Sequence, residues 1–100
     1  MRGLLSVTHT PPRVAFSLDR RWQLNAQVAL RDESFGALAY HYGNRRLVFL
    51  KSRRLVELVA SLGDYETAAG ALEALVPTEE RAAYGRALAR LATSEVIDAR

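Results

Sequence analysis

The sequence predicts an α+β domain in which three antiparallel strands precede three helices. Two observations carry this. Period-two alternation of apolar residues through residues 28–50 gives way to period-3.6 stripes after residue 52. The two longest strand-like runs are separated only by Gly43-Asn44 and their flanks, which leaves no room for a crossover helix. Without βαβ alternation, the helices gather on one face of a small sheet.

The chain has 100 residues, enough for one domain with one core. Residues 1–20 show no periodicity, and Pro11-Pro12 forbids helix there. They read as a flexible N-terminal lead, with a folded domain over residues 21–100. Trp22 and Leu24 follow, the Trp as a lid on the core. Residues 28–32 form the first strand, and Glu33-Ser34 turns the chain. Residues 35–42 form the second strand and Leu47 to Leu50 the third. Gly43-Asn44 tolerates the positive φ of a two-residue hairpin loop. That loop pairs Tyr40 with Leu47 and Leu38 with Phe49; a longer turn through Arg45 would shift the register. These four bulky residues are expected to pack on the helices, leaving Ala37 and Ala39 on a small opposite face.

Ser52 caps the first helix, whose stripe is Leu55, Val56, Leu58, Val59 and Leu62. Gly63 ends it in a left-handed conformation. Asp64 caps the second helix, with Ala68, Ala69, Leu72, Leu75 and Val76 inward, and Pro77 stops it. Thr78 caps the third, with Glu79 and Glu80 at its positive end and Tyr84, Leu88 and Leu91 as its stripe. Val96-Ile97 packs back as a short extension. One edge of so small a sheet, on the first or third strand, stays unpaired.

Charge and composition narrow the functional classes. The net charge of +3 resides in residues 1–23, and the rest is neutral. Within the domain, Arg45, Arg46, Lys51, Arg53 and Arg54 cluster at the ends of the third strand, which favours an acidic partner. Absence of cysteine excludes disulfides, thiolate nucleophiles and Cys-ligated metals. No apolar run is long enough to span a membrane, and the start Met1-Arg2 lacks a full signal-peptide core, so a cytoplasmic home is expected. His41 has no orienting carboxylate or nucleophile in any recognisable motif, and reads as a surface or half-buried strand residue. No phosphate loop or metal-ligand spacing is present. A non-enzyme without cofactor is the expectation. An open edge suits an extended guest peptide, whose main chain supplies affinity. The alternative is a small winged-helix nucleic-acid binder. Against it, residues 64–76 hold no Lys or Arg, and the third helix balances Arg81, Arg86 and Arg90 with Glu79, Glu80 and Glu95.

Trp22-x-Leu24, Val28-Ala29-Leu30-Arg31, Phe35-Gly36-Ala37-Leu38, Tyr40-His41-Tyr42, Arg45-Arg46-Leu47 and Phe49-Leu50-Lys51-Ser52 together resemble the peptide chaperones of mycofactocin systems, the MftB family. Arg86-Ala87-Leu88-Ala89-Arg90-Leu91 resembles that family's last helix. More distantly the chain is similar to PqqD-like proteins, the RiPP recognition elements. The resemblance implies a winged-helix-like fold that carries no cofactor. It implies binding of an acidic, extended precursor-peptide leader as an added strand on the third strand, beside the third helix. It further implies delivery of that leader to a radical S-adenosylmethionine (SAM) maturase, with no nucleic acid and no membrane involved. The residues carried over are Arg45, Arg46, Leu47, Val48, Phe49 and Leu50 on the strand side, and Ala83, Arg86, Ala87 and Arg90 on the helix.

Overall fold

A computed structural model describes residues 14–100. Its elements are β1 (Trp22–Leu24), β2 (Val28–Glu33), β3 (Gly36–His41), β4 (Leu47–Leu50), α1 (Arg53–Ser61), α2 (Ala68–Leu75), α3 (Arg81–Thr93) and β5 (Ile97–Ala99). Single 3-10 turns at Leu62–Asp64 and Thr78–Glu80 join the helices. The expected three-stranded antiparallel sheet is present in the order β2-β3-β4, followed by three helices. A second, two-stranded ribbon was not expected: β1 pairs antiparallel with β5, with Leu24 opposite Ile97 and Trp22 opposite Ala99. Three-residue strands are too short for alternation to betray them, and their partners lie at opposite ends of the chain.

The hairpin register is as expected, with Tyr40 opposite Leu47 and Leu38 opposite Phe49. Its loop is not. His41 N–H donates to Arg46 O at 3.0 Å and Arg45 N–H to His41 O at 2.8 Å, so four residues form the turn. Arg45, at φ 64°, takes the left-handed position in place of Gly43 or Asn44. Closing the hairpin one pair earlier preserves the pairing, because two- and four-residue loops share the same parity. Gly43 is needed for space, since a Cβ there would strike Gln27 and His41. At the other end of β3 the turn uses Ser34-Phe35, because Glu33 pairs with Gly36.

The sheet faces are the reverse of the expectation. Ala37 and Ala39 are fully buried, whereas Tyr40, Leu47 and Phe49 are exposed. On the core side, register places Ala39 between Leu30 on β2 and Val48 on β4, and Ala37 between Asp32 and Leu50. Small residues on the central strand, with larger ones on each side, make a trough that receives α1 closely. The core volume is then supplied by Trp22, Leu50, Leu58, Val59, Leu62, Leu72 and Leu88.

Several helix ends depart from the sequence reading. Ser52 caps α1 as expected, its Oγ accepting Leu55 N–H at 3.0 Å. Gly63 does not stop α1 in a left-handed conformation; the chain tightens into the 3-10 turn instead. Thr67, and not Asp64, caps α2 by accepting Gly70 N–H at 3.0 Å. Thr78 gives no side-chain cap to α3. Arg81 there reaches back to the C-terminal carbonyls of α2, donating to Leu72 O, Val76 O and Glu73 O. Glu95, at φ 66°, ends α3: its N–H donates to Ala92 O and that of Val96 to Leu91 O.

The expected flexible lead lies outside the described residues over 1–13. Residues 14–20 run along the core: Phe16 packs against Trp22 at 5.1 Å, and Trp22 Nε1–H donates to Ser17 O at 2.9 Å. Leu18 O and Arg20 O accept the Ala69 and Ala68 amides at the start of α2.

The tightest constraint in the fold is Gly36. It sits at φ 146°, and a Cβ there would overlap the Leu50 carbonyl. Gly36→Ala is expected to lower stability by roughly 3 kcal/mol, through backbone strain and a shift of β4, measured by urea unfolding.

Candidate functional site

β4 is an edge strand, and its free backbone is set by the ladder. His41 N–H reaches the Arg46 carbonyl, so by antiparallel alternation Val48 and Leu50 turn their main-chain groups toward β3. The N–H and C=O of Leu47 and Phe49 then point to the open side. Alongside this edge runs a groove of about 290 Å3 lined by Val48, Phe49, Leu55, Ala87, Arg90, Leu91 and Ser94. One wall is β4 with the start of α1; the other is the C-terminal half of α3.

The groove is clamped at both ends. At the head of α1, Ser52 Oγ and the Tyr84 hydroxyl lie 3.0 Å apart, joining the segment after β4 to α3. At the hairpin end, Asn44 Nδ2 donates to Glu95 Oε1 at 3.2 Å and toward Ser94 O at 3.5 Å. The loop itself is held by His41, buried at 4 % exposure, whose Nδ1 accepts the amides of Gly43 and Asn44 at 3.0 and 3.1 Å. The sequence suggested a surface or half-buried strand residue, and the structure buries His41. Its imidazole is instead a structural acceptor that ties two main-chain amides of the loop to the strand.

Of the residues named from the sequence, Val48, Phe49, Ala87 and Arg90 come together on this groove. Ala83 is exposed one turn before Ala87. Arg86 lies elsewhere, lining a shallow hollow with Ala82, Gly85 and Ala89 on another flank of α3. Leu50 is fully buried, so its side chain belongs to the core. Leu47 turns its side chain to the outer sheet face, and Arg45 and Arg46 are exposed around the hairpin turn. Leu55, Leu91 and Ser94 were not foreseen as lining residues. Helical spacing carried the signal for two of them, since Leu91 and Ser94 follow Ala87 and Arg90 by four positions. Of the basic cluster, Arg54 is turned away, donating to Leu75 O at 3.1 Å and lying 3.7 Å from Glu80.

The chemistry available is recognition of a strand. Two outward N–H and two outward C=O groups, an apolar floor and one guanidinium at the wall suit an extended acidic guest. Among the described residues no cluster of three His, Cys, Asp or Glu could hold a metal, and no helix is long and apolar enough to cross a membrane.

Comparison with known proteins matches residues 21–98 to the model of the Peptide chaperone MftB family. The chain belongs to the MftB peptide chaperone family. It is 45 % identical over 102 aligned positions to the peptide chaperone MftB of Mycobacterium ulcerans, covering 97 % of this chain and 94 % of that one. Against the MftB peptide chaperone of Mycolicibacterium smegmatis identity is 44 % over 91 positions, covering 90 % and 89 %. No solved structure matches the chain. The MftB resemblance carried by the hairpin words of the sequence is thereby borne out, and in this MftB-family chain those words build the edge strand and its buried trough.

The clamps generate a prediction. Tyr84→Phe removes only the hydroxyl that meets Ser52, and should cost about 1 kcal/mol of stability in denaturant unfolding while leaving the helical spectrum intact.

Proposed function

We propose that this chain is a non-catalytic chaperone that binds the leader of a ribosomally synthesised, mycofactocin-type precursor peptide. The leader adds as a fourth strand on β4, and the complex delivers it to a radical SAM maturase in the cytoplasm. The observation that carries this reading is the open β4 edge lying along a clamped, part-apolar groove. Family membership supports a peptide as the partner. The winged-helix-like arrangement implied by the resemblance suits the same role, with α3 as the wall that a guest strand lies against.

The magnitudes are adequate. Four main-chain hydrogen bonds at about 0.5–1.5 kcal/mol each, with a few apolar anchors, exceed the cost of ordering a short peptide and reach the micromolar range. Arg90 favours leader carboxylates. A nucleic-acid role has weaker support, because α2 carries no Lys or Arg and the domain after residue 23 is neutral.

Calorimetry with the precursor peptide encoded nearby tests the proposal; no heat of binding at tens of micromolar, with or without the maturase, would remove it. Phe49→Pro deletes an outward N–H on an edge strand, where proline is tolerated. It should fold, yet bind leader at least about tenfold more weakly than Phe49→Ala, which keeps the N–H. Equal affinities in two folded variants would rule out strand addition. Arg90→Glu should weaken an acidic leader about tenfold at low salt, the deficit shrinking as ionic strength rises.

A further inference from the structure

The outer face of the three-stranded sheet shares only Phe49 with the groove. It carries Phe35, Tyr40, Tyr42, Leu47 and Phe49, which are 37–58 % exposed. For side chains of this size the exposed apolar surface comes to roughly 500 Å2, toward the upper end of what a monomer shows. The rings are mutually ordered: Phe35 stacks on Phe49 at 5.6 Å, and Tyr40 meets Tyr42 edge-on at 5.5 Å. Beside the tyrosines lies a mainly apolar depression of about 360 Å3, lined by Ala29, Arg31, Leu38, Tyr40, Tyr42 and Leu47. Rigid aromatic residues of this kind supply most of the energy at protein interfaces.

We infer that this face docks the enzyme that receives the guest, and that the guest strand completes the docking surface. The inference rests on the proposed strand addition. A peptide paired with β4 widens the sheet, and every second guest side chain joins the outer face. A standard interface needs about 800 Å2 from each partner, which the bare apolar face does not reach and a fourth strand would supply. The loaded chaperone is therefore the better ligand.

Charge selects the occupant. Arg31, Arg45 and Lys51 border the face against Glu33, which is itself paired with Arg31 at 2.8 Å. A second copy related by a two-fold axis would set this positive border against itself. A different protein with an apolar centre and carboxylates around it fits better. Because coupling is reciprocal, that partner must also tighten the guest by the same factor.

The test uses the full chain, a synthetic leader peptide and the purified maturase. Wild type should bind maturase at least tenfold more tightly with leader present, and bind leader tenfold more tightly with maturase present. Tyr40→Ser/Tyr42→Ser, with Tyr42→Glu as a second variant, should keep leader affinity within twofold. Both should lose at least tenfold in maturase affinity, while Ala74→Glu on the exposed side of α2 changes neither. Leader binding intact with maturase affinity unchanged in both tyrosine variants would overturn the docking face and leave strand addition standing. A wild-type dimer that the variants convert to monomer, with maturase affinity retained, would assign the face to a second copy and also overturn it. Failure of wild type to bind leader removes the proposed function and this inference with it.

Discussion

Close packing of α1 against the small side of β3 is the constraint on which the rest of the structure depends. Ala37 and Ala39 leave room for the helix, and Leu30, Val48 and Leu50 flank them. Once α1 occupies that trough, the orientation of every side chain on the sheet is settled, because strand alternation permits only two choices. Val48 then falls beside α3, Leu50 enters the core, and the aromatic residues are sent outward. The groove and the outer face are consequences of one packing decision.

A narrow division of labour follows within β4. Its side chains serve two faces, and its backbone serves two edges. Val48 and Leu50 bond to β3 and point to the helical side; Leu47 and Phe49 offer their main chain to the open edge and their side chains to the outer face. A guest strand would engage only the last set of backbone groups, so recognition need not disturb the core. The clamps Ser52–Tyr84 and Asn44–Glu95 keep the groove walls in place before any guest arrives, which limits the ordering cost to the guest itself.

The charges show a comparable separation. The excess positive charge of the chain lies in residues 1–23, while most cationic groups of the domain stand around β4 and on α3. Arg54 and Arg81 are used structurally, on the carbonyls that end α2. Arg90 remains at the groove, where a guanidinium in a part-apolar setting would favour a guest that carries a carboxylate.

By itself the sequence determined the α+β class, the order of strands and helices, the hairpin register and the family. Those rest on local periodicity, on Ser52 and Pro77 as helix boundaries, and on words such as Phe35-Gly36-Ala37-Leu38 that survive as contiguous residues. Half of the groove was legible too, since Val48 and Phe49 lie on an edge strand and Ala87 and Arg90 on one helical stripe. Tertiary structure alone decided which face of the sheet was buried, because alternation names two faces without choosing between them, and bulk is a poor guide when a helix needs a shallow seat. It likewise decided the β1–β5 ribbon, the left-handed Arg45, the acceptor role of His41 and the placement of Arg86 away from the groove. Each of these depends on partners remote in sequence or on the rotation of a helix about its axis, which no local pattern encodes.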